Sequence, residues 1–507
     1  MHMRRLFVGV TVPTLLAISV PVAAHAQTTE PTLKSGSTGS AVVLLQKDLN
    51  SLGYAVGADD GDFGPKTLAE VKAFQRASGL QVDGVVGPAT WGAINDTLFT
   101  KVDLRDPAPS DITAQNIDKF LNANKSPMAG LGQSFIEAQN TYGVDANYLV
   151  SHAILESYWG ESQIALAKNN LFGYGAYDSN PGDDAGMFPS DDYAIRFQAW
   201  EVRNNYLNSS GSEYVSPTLK GMNVNYATDK SWATSIGSLM NELASSVGSS
   251  VSAYSQYSPT KSAASPESTT EPVFYINGAT GATQKNSYYG GVPYFSSMGA
   301  GMDDMFLSPL QSGSSGEQVE QVQTYLNKQM KAGLTVDGQF GPATEAAVKK
   351  FEAKQGLKQN GEWTFAMWQS YIYTTTPPTV PAGQSVEIDQ IEQGMAGPYV
   401  VPWYHIANEG WVDSQYVKLT NVYRLTVSSP TNTNTSIPVY GSSDGTDQIA
   451  TLHNGDFVVA QSASADDGMY EIQFSVESAA DADSGQAVGT PLTGYVSASD
   501  ATLTQQQ

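Results

Sequence analysis

Glu156 is the one acidic residue within an otherwise apolar helical stretch, 146–159, of this 507-residue chain. The spacing predicts a helix over Ala146–Trp159, opened by Asp145 as N-cap and closed by Gly160. Tyr148, Leu149, His152, Ala153 and Leu155 supply its buried stripe, and Glu156 falls on the same face. The residue lies near the negative end of the helix dipole, and burial beside Tyr158 and Trp159 would add to that effect. Both favour the neutral carboxylic acid, the form that protonates a leaving glycosidic oxygen. A solvated surface glutamate is the alternative reading. His152 precedes Glu156 by one turn, so it either positions that carboxyl or packs in the core. Neither has further ligands at metal-binding spacing, and no metal or cofactor is expected.

Elements able to hold such an acid require a sizeable chain, and 507 residues suffice for three to five domains. Residues 1–26 read as an export signal: Arg4 and Arg5, an apolar run from Leu6 to Ala23, then Ala24-His25-Ala26. No later segment approaches the roughly 18 apolar residues of a membrane span. Cysteine is absent, which excludes disulfides and a cysteine–histidine peptidase. The formal charge is −24, and loss of Arg4 and Arg5 takes it to −26. Such a balance argues against nucleic acid or anionic membrane as partner. The chain is expected to act outside the cell, in association with the wall, as a monomer.

An internal repeat at a constant offset of 277 places Asp60-GDFGPKT on Asp337-GQFGPAT, Gln46 on Gln323, Phe74 on Phe351 and Trp91 on Trp368. Each copy reads as three short helices. Between them, about 111–247 carries helical periodicity. Residues 248–270 turn to Ser, Thr, Pro and Ala, which reads as a linker, and a Thr/Pro run at 374–381 reads as a second. Beyond it, alternation signals short strands.

The repeated unit resembles the three-helix peptidoglycan-binding domain, over 32–96 and 307–373. The second copy departs from the pattern at Gln359-Asn360-Gly361-Glu362-Trp363. The segments 382–420 and 425–505 resemble bacterial SH3-like barrels, and the β segment 271–306 either completes the first of these or stands apart.

Residues 105–247 resemble the glucosaminidases of glycoside hydrolase family 73. The carrying motifs are YGVxxxYLVxHAILESxWGES at 142–162, KNNLFG at 168–173, AIRFQAW at 194–200 and TLKGMNVNYATDKSWA at 218–233. The resemblance implies a multidomain chain, mainly α with a β-rich C-terminal part, and a lysozyme-like α+β catalytic domain. It implies hydrolysis of peptidoglycan by an autolysin-type β-N-acetylglucosaminidase with Glu156 as general acid. Tyr226 then steadies developing charge or orients the substrate's N-acetyl group. Trp159 and Gly160 close the helix over the cleft, or Trp159 is a plain core residue; Asn169 and Asn170 either bond sugar hydroxyls or cap a turn. Asp229 and Trp232 read as structural.

The family's second glutamate has no counterpart, because no Glu occurs between Glu161 and Glu201. Asp178, Asp183, Asp184, Asp191 and Asp192 are the acids in that interval. Two mechanisms stay open. Asp178 or Asp183 activates water in an inverting reaction, which needs the carboxyls roughly 6.5–9.5 Å apart. Otherwise the substrate's own 2-acetamido oxygen is the nucleophile. A muramidase, a lytic transglycosylase, or a non-catalytic wall or spore-coat binding protein are the competing functions.

Overall fold

The computed structural model describes residues 30–176, 185–286, 289–297, 309–372, 377–396, 399–428, 436–476 and 489–506. The chain divides into two compact units: 1–279 with 390–392 and 421–507, and 280–389 with 393–420.

The first unit opens with α1 (Ser40–Ser51), α2 (Pro65–Ala77) and α3 (Pro88–Phe99). Gly64 and Gly87 lead into the prolines that start the second and third helices, a position where the missing N–H costs nothing. Buried Gln46 is the hub of the first turn. Its amide donates to Asp60, to the Asp62 carbonyl and to Thr67, and accepts from Gly61 N. Gln75 repeats this pattern with Asp83, Val85, Thr90 and Gly84, so the module reads its two D-G turns with two buried glutamines.

Among the described residues, seven further helices follow: α4 (Ala114–Ala123), α5 (Gly132–Tyr142), α6 (Ala146–Ser157), α7 (Gln163–Lys168), α8 (Asp191–Asn205), α9 (Leu219–Met222) and α10 (Trp232–Ser246). Thr113, Asp145, Ser162, Ser190 and Thr218 cap five of them through their side chains. The N-terminal module is not a separate bead. Gly237 on α10 lies so close to α3 that a Cβ there would sit 2.6 Å from the Asp96 carbonyl. Asn241 donates to Asp96 at 2.9 Å, Phe99 meets Tyr254 edge-on at 4.9 Å, and one hydrophobic core runs through both parts.

The segment expected to be a free linker is also fastened. Arg203 donates to the carbonyls of Gly143 and Ala264, Trp200 to that of Thr269, and Ser268 N to that of Thr141. Composition gave no sign of these partners, and residues 248–270 form a strap along the helical domain.

The C-terminal part of this unit is a seven-stranded antiparallel sheet. Its strands are β8 (Val422–Val427), β9 (Ser436–Tyr440), β10 (Gln448–His453), β11 (Phe457–Val459), β12 (Met469–Ser475), β13 (Pro491–Ser497) and β14 (Ala501–Gln505), in the order β10-β9-β13-β12-β11-β8-β14. Alternation buries Ile437, Val439, Leu452, Ile472, Val496 and Leu425 against one another.

A five-stranded sheet, most of it in the second unit, joins β1 (Phe274–Thr283), β4 (Ser385–Ala396), β5 (Tyr399–Ile406), β6 (Gly410–Asp413) and β7 (Val417–Leu419) in the order β6-β5-β4-β1-β7. Strands from either side of the second three-helix copy therefore join one sheet, and that copy is inserted between β2 (Gly291–Pro293) and β3 (Thr379–Pro381). The copy consists of α11 (Glu317–Met330), α12 (Pro342–Lys354) and a short turn of helix at Phe365–Met367. Gln323 repeats the bonds of Gln46, to Asp337, the Gln339 carbonyl and Thr344. The departing sequence keeps the fold: Trp363 is fully buried and bridges Leu310, as Val86 bridges Leu33 in the first copy. Glu352 stands in for Gln75 and accepts from Gly361 N at 2.9 Å.

Candidate active site

α6 is buried on nearly every side, so its polar residues need partners within the protein. Asn147 donates to the Met240 carbonyl and to Tyr254 Oη, and Asp145 accepts from Tyr148 N. The helix ends at Ser157, two residues before its expected end, because Tyr158 takes a left-handed conformation (φ 53°). Trp159 (φ 61°) and Gly160 (φ 84°) continue that turn. Two consecutive non-glycine residues in this region are costly, and the surroundings must hold them. Ser126 Oγ donates to the Trp159 carbonyl at 2.7 Å, Ser157 Oγ accepts from Gly160 N at 2.7 Å, and the Trp159 ring packs on Phe120.

This turn corrects one expectation. Tyr158 points outward and is 51% exposed, so it does not enclose Glu156. Enclosure comes from elsewhere in the sequence. The Trp232 indole Nε1 donates to Glu156 Oε1 at 2.8 Å, and the Glu156 side chain is 13% exposed. Fully buried His152 brings Nε2 to 3.4 Å from the same oxygen, within ion-pair reach but outside hydrogen-bond geometry. Its Nδ1 lies 3.1 Å from Tyr148 Oη. A tautomer with Nδ1 accepting from that hydroxyl and Nε2–H facing the carboxyl suits both contacts.

Aromatic rings wall this group in. Tyr226 stacks on Trp232 at 4.8 Å and meets His152 edge-on at 5.1 Å, while Phe172 lies 5.4 Å from His152. Burial pushes the Tyr226 phenol well above its usual range, and the neighbouring Glu156 charge adds to this. Tyr226 therefore stays neutral and can donate or orient without acting as a base.

Asn169 and Asn170 differ from the sugar-bonding alternative. Both are buried, and both amides are used inside the protein. Asn169 Nδ2 donates to the carbonyls of Phe188 and Gly455, and its Oδ1 accepts from Arg424. Asn170 bonds the Tyr174 and Gly186 carbonyls and accepts from Tyr174 N. The pair builds the loop. Asp178 and Asp183, with Asp184, lie outside the described residues. Ser190 caps α8 through its side chain, which accepts from Tyr193 N. Asp192 pairs with Arg196 at 2.8 Å, and burial raises the Asp191 carboxyl to about 7 against the opposing pull of Arg424.

Sequence reasoning missed Trp232 as a partner of Glu156. Its motif was visible, but nothing local linked it to a helix 76 positions away.

Residues 132–245 match the glucosaminidase family, described as mannosyl-glycoprotein endo-beta-N-acetylglucosaminidase, and 38–94 and 315–370 match the putative peptidoglycan-binding domain. The chain carries a glucosaminidase domain. Over 180 residues it is 35% identical to a putative endo-beta-N-acetylglucosaminidase of Streptococcus pneumoniae, covering 35% of this chain and 26% of that protein. A beta-N-acetylglucosaminidase of Bacillus subtilis is 32% identical over 180 residues, covering 32% of this chain and 20% of the relative. The chain thus spans about a quarter or less of the length of these relatives. Among solved structures, S. aureus Autolysin E is 22% identical, with 39% of this chain and 95% of that one covered and a TM-score of 0.26.

The glucosaminidase domain should show a pH-dependent stability set by the cap of α6. Burial raises the Asp145 carboxyl from 3.8 to about 7, against the bonds from Tyr148 N and Asn147 N. A folded-state value above the unfolded one means the group favours folding when protonated. That contribution is complete below about 4 and is lost as pH rises to about 7. Asp145→Asn keeps an acceptor at the cap and removes the titration. Thermal unfolding of the variant is expected to vary less between pH 4 and 8 than that of the wild type; parallel profiles refute the assignment.

Proposed function

We propose that the protein hydrolyses β-1,4 glycosidic bonds of peptidoglycan as an N-acetylglucosaminidase, with Glu156 as general acid. The carrying observation is the anchoring of one carboxyl oxygen only. Trp232 and His152 both face Oε1, and Oε2 has no protein partner among the described residues. Oε2 is then the oxygen that hands its proton to the glycosidic oxygen as positive charge develops at C1. Neutral Tyr226 orients the sugar at the cleaved bond, and Trp159 borders the groove.

The family description names a glycoprotein substrate, but two peptidoglycan-binding domains in the same chain favour the wall. Several weak wall contacts raise avidity along a polymer, and the β-rich parts add SH3-like modules to that set. We place the protein outside the cell, on the wall.

Mass spectrometry of released muropeptides tests the reaction. A reducing-end GlcNAc is expected; reducing MurNAc, or its anhydro form, would reassign the chain to the muramidases or lytic transglycosylases. The anomer first formed separates the two routes. Inversion fits water activated by Asp178 or Asp183, and retention fits the 2-acetamido oxygen as nucleophile.

A further inference from the structure

We propose that Arg424, in the C-terminal sheet, is a positioning residue for the catalytic glutamate, so that this sheet is part of the catalytic machinery and not only a wall anchor. The inference rests on the assignment of Glu156 as the acid. Its origin is the end of α7, a helix of six residues: Asn169 N covers the Ala165 carbonyl and Phe188 N that of Lys168, while the carbonyls of Leu166 and Ala167 need partners from another element. Half-buried Arg424 supplies them. One guanidinium nitrogen, Nη2, donates to the Leu166 carbonyl at 2.7 Å and to Asn169 Oδ1 at 2.8 Å, and Nη1 donates to the Ala167 carbonyl. The planar fork meets three acceptors at once, which a lysine cannot do.

The same junction is closed from the other side. Asn169 holds a left-handed backbone (φ 51°), and its Nδ2 reaches the Gly455 carbonyl at 2.9 Å. Gly455 (φ 104°) approaches so closely that a Cβ would lie 2.0 Å from Asn169 Oδ1 and 2.8 Å from Arg424 Nη2. Phe457 N donates to the Pro189 carbonyl at 2.9 Å, beside the cap of α8. From this clamp the chain runs three residues to Phe172, whose ring backs His152. His152 in turn stands 3.4 Å from Glu156 Oε1. A loop released at Asn169 loses the support that holds Phe172 against His152. Misplacement of reacting groups by about 1 Å is enough to cost up to a hundredfold in rate.

A sheet that served only as an adhesive would affect insoluble walls and leave a soluble substrate untouched. The test therefore uses the full chain on a soluble glycan fragment of peptidoglycan, with Arg424→Ala, Arg424→Lys and Gly455→Ala. Circular dichroism confirms that each variant is folded, and hydrogen exchange reads residues 165–173 directly. For Arg424→Ala and Gly455→Ala, kcat is expected to fall about tenfold or more with KM within twofold, together with lost exchange protection in that loop. Arg424→Lys should recover part of both, and if either alanine variant fails to fold the other carries the test. Wild-type kcat on the soluble fragment in folded variants overturns the proposal, as does a loss confined to insoluble walls. Wild-type protein inactive on every glycan would instead bring down the Glu156 assignment, and this inference with it.

Discussion

Glu156→Gln is expected to abolish glycan cleavage, lowering kcat by at least about a thousandfold, while the protein stays folded and still binds peptidoglycan. The amide keeps the shape of the carboxyl, and its carbonyl oxygen can still accept from the Trp232 indole at the place of Oε1. What it cannot do is give a proton to the leaving oxygen. General acid–base catalysis contributes about a hundred- to ten-thousandfold. Thermal unfolding should shift by no more than a few degrees, since the apolar packing of α6 is unchanged. Turbidity clearing of purified walls and steady-state kinetics on a soluble fragment both read this out. Residual activity within tenfold of wild type would remove Glu156 from the acid role, whatever its surroundings suggest.

The helix that carries Glu156 was legible because its evidence is local. Asp145 as a cap and the burial of Tyr148, Leu149, His152 and Ala153 follow from spacing within a dozen residues. The three-helix modules were legible for a similar reason, with the D-G turns and their glutamine partners repeating at fixed offsets. Two other kinds of information were not there to read. A left-handed end to α6 turned Tyr158 outward, and an aromatic residue after an apolar helix gives no hint of that reversal. Long-range partners were the second: Arg424 meets Asn169 across 255 positions, and Arg203 meets Ala264 across 61. Asparagine pairs look alike whether their amides face a groove or close a loop. Only the positions of Phe188, Gly455 and Gly186 decided the matter. The same blindness made the helical domain and its neighbours look like beads on linkers, when one core continues from α1 to Tyr254.

Trp232 separates holding the acid from building the core, and two substitutions divide these tasks. In Trp232→Phe the ring remains to pack on Tyr226 and His152, but the indole N–H that fixes Glu156 Oε1 is gone. Removing one partner of a buried hydrogen bond costs about 1–3 kcal/mol, and about 1.4 kcal/mol is a factor of ten in rate. The expected result is a kcat lower by about ten- to a hundredfold, with KM little changed and a modest loss of stability. Trp232→Ala empties the space as well. Removing a buried tryptophan typically costs about 3–5 kcal/mol, so this variant should unfold at a clearly lower temperature and lose activity further. Because α10 rests on α3 of the N-terminal module through Asp96, Asn241 and Gly237, that destabilisation should spread into the first unit as a whole. A Trp232→Phe enzyme with wild-type kcat would mean that Glu156 is held by the fold of α6 alone. The indole would then be core and nothing more.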